Sequence, residues 1–395
     1  MKAPAMRWIA RGLGALLLLI GVLAVYIQFG GHSYFWTALR YTYLDGHNTA
    51  HIDDAANFEQ AAVPSTIAKP WLQDDRAAQT RIAPDLLQSL QAERSAAFLV
   101  IHQGKLLHET YFAPYTATSQ TNSFSMAKTV VTMLTGAAVA DGFIPSFDTP
   151  LSLYLPEYAT DPRGSKATLA QLSAMTSGHE WTEHYYLPLN PTTKLYFGGD
   201  VTGTVLAQGF ERDPGAEFEY SSASTQVLAL ALQRALQARQ PELTLSTYLA
   251  SRFWQPMGME GDASWSLDRP RAQGGMEMAY CCIHSSARNF ARLGQLLLQG
   301  GLWGEQQLLP AEFVQQMVRP NGFVNYYGHS LWMDPDYQAP FYFLQGHLGQ
   351  YVIVVPSAQL VVVRLGQVRH RTYNQHKLIP DEVYRYVDEG LRMAQ

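Results

Sequence analysis

Residues 125–140 read SMAKTVVTMLTGAAVA, in which a serine and a lysine one helical turn apart are followed by a mostly apolar run. The run predicts a buried helix that begins at the serine, with Ser125 and Lys128 on one face. A serine hydroxyl becomes a nucleophile when a nearby base takes its proton, and a lysine whose pKa is lowered by burial is such a base. The pair predicts nucleophilic catalysis, with an ordinary helix start as the structural alternative.

A second segment places a tyrosine where a loop enters another apolar helix. Tyr220 and Ser222 follow the loop at residues 213–219. A neighbouring cation lowers the pKa of a phenol, which can then accept a proton and return it to a leaving group. We therefore expect Lys128 to lower the pKa of Tyr220. A packed aromatic ring whose hydroxyl has one hydrogen-bond partner is the alternative.

A third segment, LQGHLGQ at residues 344–350, leads into a valine-rich strand. Glycine at a strand edge lets a ligand approach the backbone closely. A free N–H there could join the N–H of Ser125 and hold an oxyanion. A β-bulge before the strand is the alternative.

Strand and helix patterns around these segments indicate one α/β layer closed by both ends of the chain. Alternating and β-branched runs predict hairpins, and leucine and alanine at helical spacing predict helices between them. The predicted elements are a hairpin of residues 96–102 and 105–112, a hairpin of residues 351–355 and 360–364, and helices at 130–140, 224–238 and 287–299.

Composition restricts the chain to a globular enzyme or binding protein. Of its 395 residues, 47% are hydrophobic and 15% are charged, which excludes disordered, collagenous and coiled-coil chains. The formal net charge of −5 gives no basic surface for a phosphate backbone, so nucleic acid is not an expected partner.

The adjacent Cys281 and Cys282 lack the spacing of a zinc site. We expect two packed thiols, with a vicinal disulfide as the alternative.

The N-terminal segment predicts a membrane anchor. Residues 12–29 are mostly apolar and would form a helix about 27 Å long, which nearly spans a bilayer. Lys2, Arg7 and Arg11 precede this run. The first charge after it is Arg40, so the positive-inside rule places the N terminus in the cytoplasm and the remaining chain outside. A convincing signal-peptidase site is missing, which favours an uncleaved anchor over a signal peptide.

In their order along the chain, these segments are typical of a known family. The chain resembles the serine β-lactamase and penicillin-binding protein superfamily. Within this superfamily, the chain resembles the branch that contains class C β-lactamases, family VIII esterases and 6-aminohexanoate oligomer hydrolases. It is most similar to the 6-aminohexanoate oligomer hydrolases. The resemblance covers residues from about 95 to 390, and its segments are 125–128, 175–178 with Trp181 and Tyr185, 214–220, 287–294 and 346–366.

The resemblance implies an α/β fold of the β-lactamase/transpeptidase type, with an antiparallel sheet flanked by helices, an all-helical region, and the active site between them. It implies acyl-enzyme chemistry on an amide or ester, without a cofactor or a metal. Mapped by motif, Ser125 is the nucleophile and Lys128 activates it. Tyr220 exchanges protons with the serine and the leaving group.

The same resemblance implies the substrate-binding residues. The oxyanion donors are the N–H of Ser125 and a second N–H in the third segment, which we place at His347, next to Gly346, with Gln350 as the alternative. Two further residues follow from the motifs: Tyr185 resembles the tyrosine that contacts the scissile amide, and Ser222 ends the second motif where true β-lactamases have asparagine.

Two departures from the family pattern bear on the substrate. The third segment has no K-T-G motif, so the cation that would hold a β-lactam carboxylate is missing unless a protonated His347 supplies it. We therefore do not expect a dedicated β-lactamase. His184 stands where the hydrolases often have an acidic residue, so we do not expect recognition of an amine at the far end of the substrate.

Other enzyme classes fit less well. His179 and His184 are five residues apart, about 140° around a helix, whereas a zinc protease helix needs four. The G-x-S-x-G motif of an α/β-hydrolase does not occur in the sequence. The alternatives that remain are a membrane-tethered protein that binds cell-wall peptide without turnover, and a D-amino peptidase or DD-carboxypeptidase.

The predicted organisation has three parts. Residues 1–36 are the cytoplasmic tip and transmembrane anchor, 37–80 a spacer, and 81–395 the hydrolase domain, with the helical region at about 145–290. The expected protein is a single-pass hydrolase of a bacterial inner membrane, whose catalytic domain lies on the periplasmic side. Its expected partners are the membrane and a small amide, ester or peptide substrate.

Overall fold

Helices and short strands alternate through the chain. The structure is a computed structural model that describes residues 3–369, 372–374 and 377–395, without the side chains of residues 3–7 and 10. Lys2 and the side chain of Arg7, both used for the predicted orientation, therefore lie outside the described residues. The α-helices are α1 (Ala3–Phe29), α2 (Tyr34–Tyr41), α3 (Pro84–Ala92), α4 (Met126–Ala140), α5 (Leu169–Ser173), α6 (Pro191–Phe197), α7 (Val201–Leu206), α8 (Ser222–Gln237), α9 (Leu245–Leu249), α10 (Ala287–Leu298), α11 (Ala311–Met317) and α12 (Asp381–Ala394). The β-strands are β1 (Glu59–Val63), β2 (Ser95–His102), β3 (Lys105–Tyr111), β4 (Thr121–Asn122), β5 (Ala263–Leu267), β6 (Ile283–Ser285), β7 (Leu302–Trp303), β8 (Gln306–Gln307), β9 (Trp332–Asp334), β10 (Phe341–Gly346), β11 (Gln350–Val355) and β12 (Leu360–Gly366).

Both ends of the chain contribute to the larger sheet, as the hairpin patterns predict. Its strand order is β3-β2-β12-β11-β10-β9, and every neighbouring pair is antiparallel. Strands β2 and β3 form the first predicted hairpin, and β11 and β12 form the second, so both predictions are confirmed. Every residue of β12 is buried, which explains its run of apolar residues on both faces.

Helices pack on both faces of this sheet. A Cβ atom at Gly294 of α10 would lie 2.6 Å from the side chain of Val352, so only glycine lets this helix lie so close to the strand. On the opposite face, Tyr386 and Val387 of α12 share an apolar core with Val362 of β12. The three predicted helices correspond to α4, α8 and α10, which confirms them.

A second sheet contradicts the predicted all-helical region at about 145–290. Its strand order is β1-β5-β6-β4, and both β5 and β6 lie inside that region, after helices α5 to α9. Strand β5 pairs with β1, so that Ala61 lies opposite Trp265. The prediction is wrong because these strands are short and their partners are distant in sequence, so that no local pattern marks them.

The segment predicted as a spacer packs against the remaining protein. Strand β1 belongs to the second sheet, and the N–H of Lys69 donates a hydrogen bond of 2.9 Å to the carbonyl of Gly258. Helix α2 lies against α6 and crosses the predicted boundary at residue 36. The division into anchor, spacer and hydrolase domain stays a prediction, but residues 37–80 share their packing with the domain.

Helix α1 is exposed and apolar. At 1.5 Å per residue its 27 residues extend about 40 Å, and residues 11–29 are long and apolar enough to cross a membrane. A signal sequence would show the same features. Near the end of the helix, however, Ile27 is only 2% exposed, so the last turn of α1 packs against other parts of the protein.

Candidate active site

A tight turn between β4 and α4 positions Ser125. Phe124 has a positive φ of 45°, which is rare for a residue with a side chain. Two contacts hold this turn: the Phe124 N–H donates to the side chain of Asn122 at 2.9 Å, and the Ser123 N–H donates to the carbonyl of Ile283 at 2.8 Å. Ser125 then occupies the N-cap of α4, and its hydroxyl makes no capping hydrogen bond within the described chain. The hydroxyl is therefore available for chemistry.

Lys128 is buried one turn farther along the same helix, with 1% of its surface exposed. Its Nζ donates hydrogen bonds to Oγ of Ser222 at 2.9 Å and to the carbonyl of Tyr280 at 3.1 Å. Burial lowers the pKa of Lys128 to about 8, although the nearby carboxylate of Glu183 opposes this shift. A substantial fraction of the amine is thus neutral at mildly alkaline pH, as a general base must be.

Tyr220 approaches the same serine from the loop before α8. Its phenol interacts with Ser125, and Nζ of Lys128 lies 5.4 Å from its ring centroid. The expectation that Tyr220 has a lowered pKa is wrong: burial, with a smaller effect from Glu183, raises the pKa of the phenol. Tyr220 is therefore a neutral proton donor, and the shifted base is the lysine.

Glu183 is a site residue that the sequence analysis missed. Its carboxylate accepts hydrogen bonds from the hydroxyl of Ser222 at 2.6 Å, from the N–H of Ser222 at 2.8 Å and from the indole of Trp181 at 2.7 Å. Its charge, after burial, also contributes to raising the pKa of Tyr185. The carboxylate thus fixes the first residue of α8, whose hydroxyl in turn accepts from Lys128. Glu183 lies within the segment weighed as a zinc motif, but nothing local indicates its distant partner Ser222.

His347 packs beside the serine-bearing turn, where it contacts residues from three other parts of the chain. Its Nε2 lies 3.2 Å from the hydroxyl of Thr49, and its ring is 4.8 Å from that of Tyr185 and 5.4 Å from that of Phe124. Burial, together with the charge of Arg369, lowers the pKa of His347 to about 3. The imidazole is therefore neutral at physiological pH, and the expectation that a protonated His347 could hold a carboxylate is wrong.

The strand end around His347 lies directly against the turn that carries the serine. A Cβ atom at Gly346 would lie 2.2 Å from the carbonyl oxygen of Ser123, so this approach requires glycine. The side chain of Gln350 is buried and bonds the carbonyls of His347, at 2.9 Å, and Gly366, at 2.7 Å. These two hydrogen bonds fix the turn that connects Gly346 with Gln350. The choice of His347 or Gln350 as the second oxyanion donor stays a prediction.

An apolar cavity of about 370 Å³ opens over Ser125. Four of the predicted residues line it, namely Ser125, Tyr185, Ser222 and His347, while Lys128 and Tyr220 contact this group. Residues of α2 form one wall of the cavity. The sequence had predicted that this helix belongs to the anchor and the spacer. Among the described residues that line the cavity, none is a lysine or an arginine.

Cys281 and Cys282 are joined by a vicinal disulfide, so the expectation of two packed thiols is wrong. Both residues are buried, and Cys281 contributes to the cavity wall. The preceding residue, Tyr280, supplies the carbonyl that accepts from Lys128. The disulfide therefore lies beside the backbone that holds the lysine.

A group of potential metal ligands lies near the cavity. The ligand atoms of Asp45, His47 and His51 are all within 4.8 Å of one another, and Nε2 of His51 is 3.4 Å from the Asp45 carboxylate. Two imidazoles and a carboxylate can bind a divalent cation such as zinc. The group is separate from Ser125 and Lys128, and their chemistry requires no metal.

The chain matches the family model "Beta-lactamase" over residues 83–378. It is 30% identical over 249 residues to a 6-aminohexanoate-dimer hydrolase of Paenarthrobacter ureafaciens, an alignment that covers 60% of this chain and 60% of that protein. The chain thus matches about 60% of the length of this curated relative.

Solved structures show a similar fold. A candidate 6-aminohexanoate-dimer hydrolase from Bacillus anthracis has a TM-score of 0.69 at 21% identity, over 85% of this chain and 90% of that one. A family VIII carboxylesterase has a TM-score of 0.61 at 16% identity, over 82% and 99%.

Proposed function

This chain belongs to the beta-lactamase family of hydrolases, and from that premise we propose that it is a membrane-anchored serine hydrolase that cleaves an amide or ester through an acyl-enzyme on Ser125. The observation that carries the proposal is the group formed by Ser125, Lys128 and Tyr220. The serine hydroxyl makes no capping hydrogen bond, the lysine is buried with a pKa of about 8, and the phenol interacts with the serine.

In the proposed acylation, neutral Lys128 takes the hydroxyl proton as Oγ of Ser125 bonds to the substrate carbonyl carbon. The N–H groups of Ser125 and His347 hold the oxyanion of the tetrahedral intermediate. As the intermediate collapses, the bond to the leaving amine or alcohol breaks and the Tyr220 phenol protonates that group. The lysine then returns its proton to the tyrosine.

Deacylation repeats these steps with water as the nucleophile. The water attacks the acyl carbon, its proton passes to the same base, and the bond to Oγ of Ser125 breaks as the serine regains a proton. The acid product leaves, and the enzyme returns to its starting protonation state. Tyr185 and Glu183 contribute to this cycle as positioning residues, because Tyr185 lines the cavity beside His347 and Glu183 fixes the start of α8.

We expect hydrolysis of simple esters to exceed that of penicillins and cephalosporins by at least tenfold in kcat/KM. A charge-assisted hydrogen bond to the β-lactam carboxylate is worth about 1.5–3 kcal/mol, and the described cavity lining has no cation to make it. The measurement compares 4-nitrophenyl acetate with nitrocefin.

A matched pair isolates the carboxylate itself: 4-nitrophenyl butyrate and mono-4-nitrophenyl succinate have the same ester group. The succinate should be the poorer substrate. Equal kcat/KM values for the butyrate and succinate esters, or for 4-nitrophenyl acetate and nitrocefin, would show that a cation reaches the substrate. Arg369 would then be the first residue to test.

The proposed anchor has its own test. Because the basic residues precede the apolar helix, the hydrolase domain should lie outside the cytoplasm, with the helix uncleaved. A reporter fused after Gln395 that is active only in the cytoplasm should give no signal, whereas a reporter active only in the periplasm should give one. The intact mass of the purified protein should include residues 12–29. Strong cytoplasmic signal would contradict the orientation, and a shortened mass would show a signal peptide.

A further inference from the structure

The wall of the active-site cavity is built by the helix that directly follows the apolar helix. Phe35, Ala38 and Leu39 of α2 line the same cavity as Ser125 and His347. Helix α1 ends at Phe29 and α2 begins at Tyr34, so at most about 18 Å of chain separates them. If α1 spans a membrane, the cavity therefore opens close to the membrane surface.

The rim of this cavity is apolar and exposed. Tyr43, Tyr186 and Leu187 line the cavity, yet 54%, 50% and 52% of their surfaces are exposed. Leu44 and Leu189, next to them in sequence, are also exposed. Exposed apolar side chains grouped around one opening are typical of a surface that contacts lipid or another apolar partner, and tyrosine is enriched where protein meets the membrane interface.

The charges around the cavity favour a neutral, apolar substrate. Its described lining has no lysine or arginine, His347 is neutral, and Ser125 and Ser222 contribute hydroxyl groups to it. Apolar side chains that line the same cavity, among them Leu39 and Phe197, can pack against methylene groups of a substrate. A short charged substrate would gain nothing from such walls.

We propose that the substrate is a long-chain acyl ester or amide that resides in the membrane, and that its acyl chain enters this cavity between α2 and the rim. The inference rests on the proposed function and specifies its substrate class. Oγ of Ser125 bonds to the acyl carbon, the alcohol or amine leaves with a proton from Tyr220, and water then releases the fatty acid and regenerates the serine.

The first experiment measures chain-length dependence with the full-length protein in phosphatidylcholine vesicles. The substrates are 4-nitrophenyl esters of acetate, butyrate, octanoate and dodecanoate. When kcat/KM is referred to the concentration of free ester in water, each additional buried methylene group should raise it about three- to fourfold until the cavity is filled. This corresponds to about 0.8 kcal/mol for moving one methylene group from water into an apolar environment. A fluorophosphonate titration normalises every rate to the concentration of folded active sites.

A variant pair tests whether α2 is the surface that contacts the chain. Leu39→Asn should lower kcat/KM for the dodecanoyl ester at least tenfold more than for the acetyl ester, since only the long chain reaches that wall. The matched control is Leu153→Asn: this leucine is 61% exposed and does not line the cavity, so the ratio of the two rates should not change. An equal loss on both esters in Leu39→Asn would contradict the inference.

A second experiment tests the membrane route. A long-chain ester held in the same vesicles as the enzyme should be hydrolysed at least tenfold faster than the same ester in separate vesicles. Equal rates would overturn entry from the membrane, and a flat chain-length profile would overturn the acyl-chain cavity. If either result is obtained while the enzyme still hydrolyses 4-nitrophenyl acetate in a Ser125-dependent way, only this inference is contradicted. The proposed function is then still supported. Loss of probe labelling and of all ester hydrolysis in the parent would instead overturn the proposed function.

Discussion

Ser125→Ala is expected to abolish labelling by a fluorophosphonate probe and to lower kcat for ester hydrolysis by about 10⁴-fold or more, the scale at which a covalent nucleophile is lost. The expectation rests on position: the serine occupies the N-cap of α4 without using its hydroxyl for capping, and its side chain interacts with that of Tyr220. Intact mass after labelling provides the measurement. The folded state should persist, because the missing hydroxyl makes no capping bond that the helix depends on.

The control is Ser357→Ala, a serine exposed in the turn between β11 and β12. It should label like the parent and hydrolyse esters at the parental rate. If Ser125→Ala labels as strongly as this control, the nucleophile is another residue. If neither the parent nor the control labels while a cell-wall peptide still binds, the protein is a binding protein of the same fold.

Lys128 and Tyr220 are expected to act as one coupled unit. Lys128→Ala should abolish acylation, because among the described residues it is the base one turn from Ser125 on α4. Tyr220→Phe should retain substrate binding and slow turnover about 10²-fold or more, the usual scale for acid-base catalysis. Because both residues handle the same proton, the loss in the double variant should be smaller than the product of the single losses.

Two further measurements keep this second prediction separate from simple misfolding. Lys128→Met preserves the buried volume, so it should fold like the parent and still fail to acylate. The parental kcat/KM should rise with pH through about 8, since only the neutral amine accepts a proton, and Tyr220→Phe should keep that rise. If the two losses multiply in the double variant, or if Tyr220→Phe removes the rise, the assigned roles are mistaken.

Local patterns predicted the parts of the site that are local. Ser125 and Lys128 lie on one helix, and the hairpin strands alternate or run apolar within a few residues, so each was visible in sequence alone. The position of Tyr220 at the start of a helix was also visible locally, and the family resemblance added its assigned role, the choice of His347 and the order of the segments. The structure brings these residues together as expected, while their catalytic roles stay predictions.

Long-range contacts were not predictable in this way. Glu183 meets Ser222 only because the loop before α6 folds over the start of α8. Strand β5 exists only through its pairing with β1 and β6, and the α2 wall depends on how the chain turns after α1. The raised pKa of Tyr220 has the same origin: it is caused mainly by burial, which only the packed structure shows.

The bond between Cys281 and Cys282 connects the site with the redox chemistry of the place where the chain matures. Glutathione and thioredoxin keep most cysteines of a reducing cytosol as thiols, whereas disulfides persist in oxidising compartments. A chain retained in a reducing cytosol would therefore carry two thiols next to the carbonyl that holds Lys128, and would differ covalently from the disulfide-bonded chain. This covalent difference gives the proposed orientation a chemical readout that does not depend on the basic residues before α1.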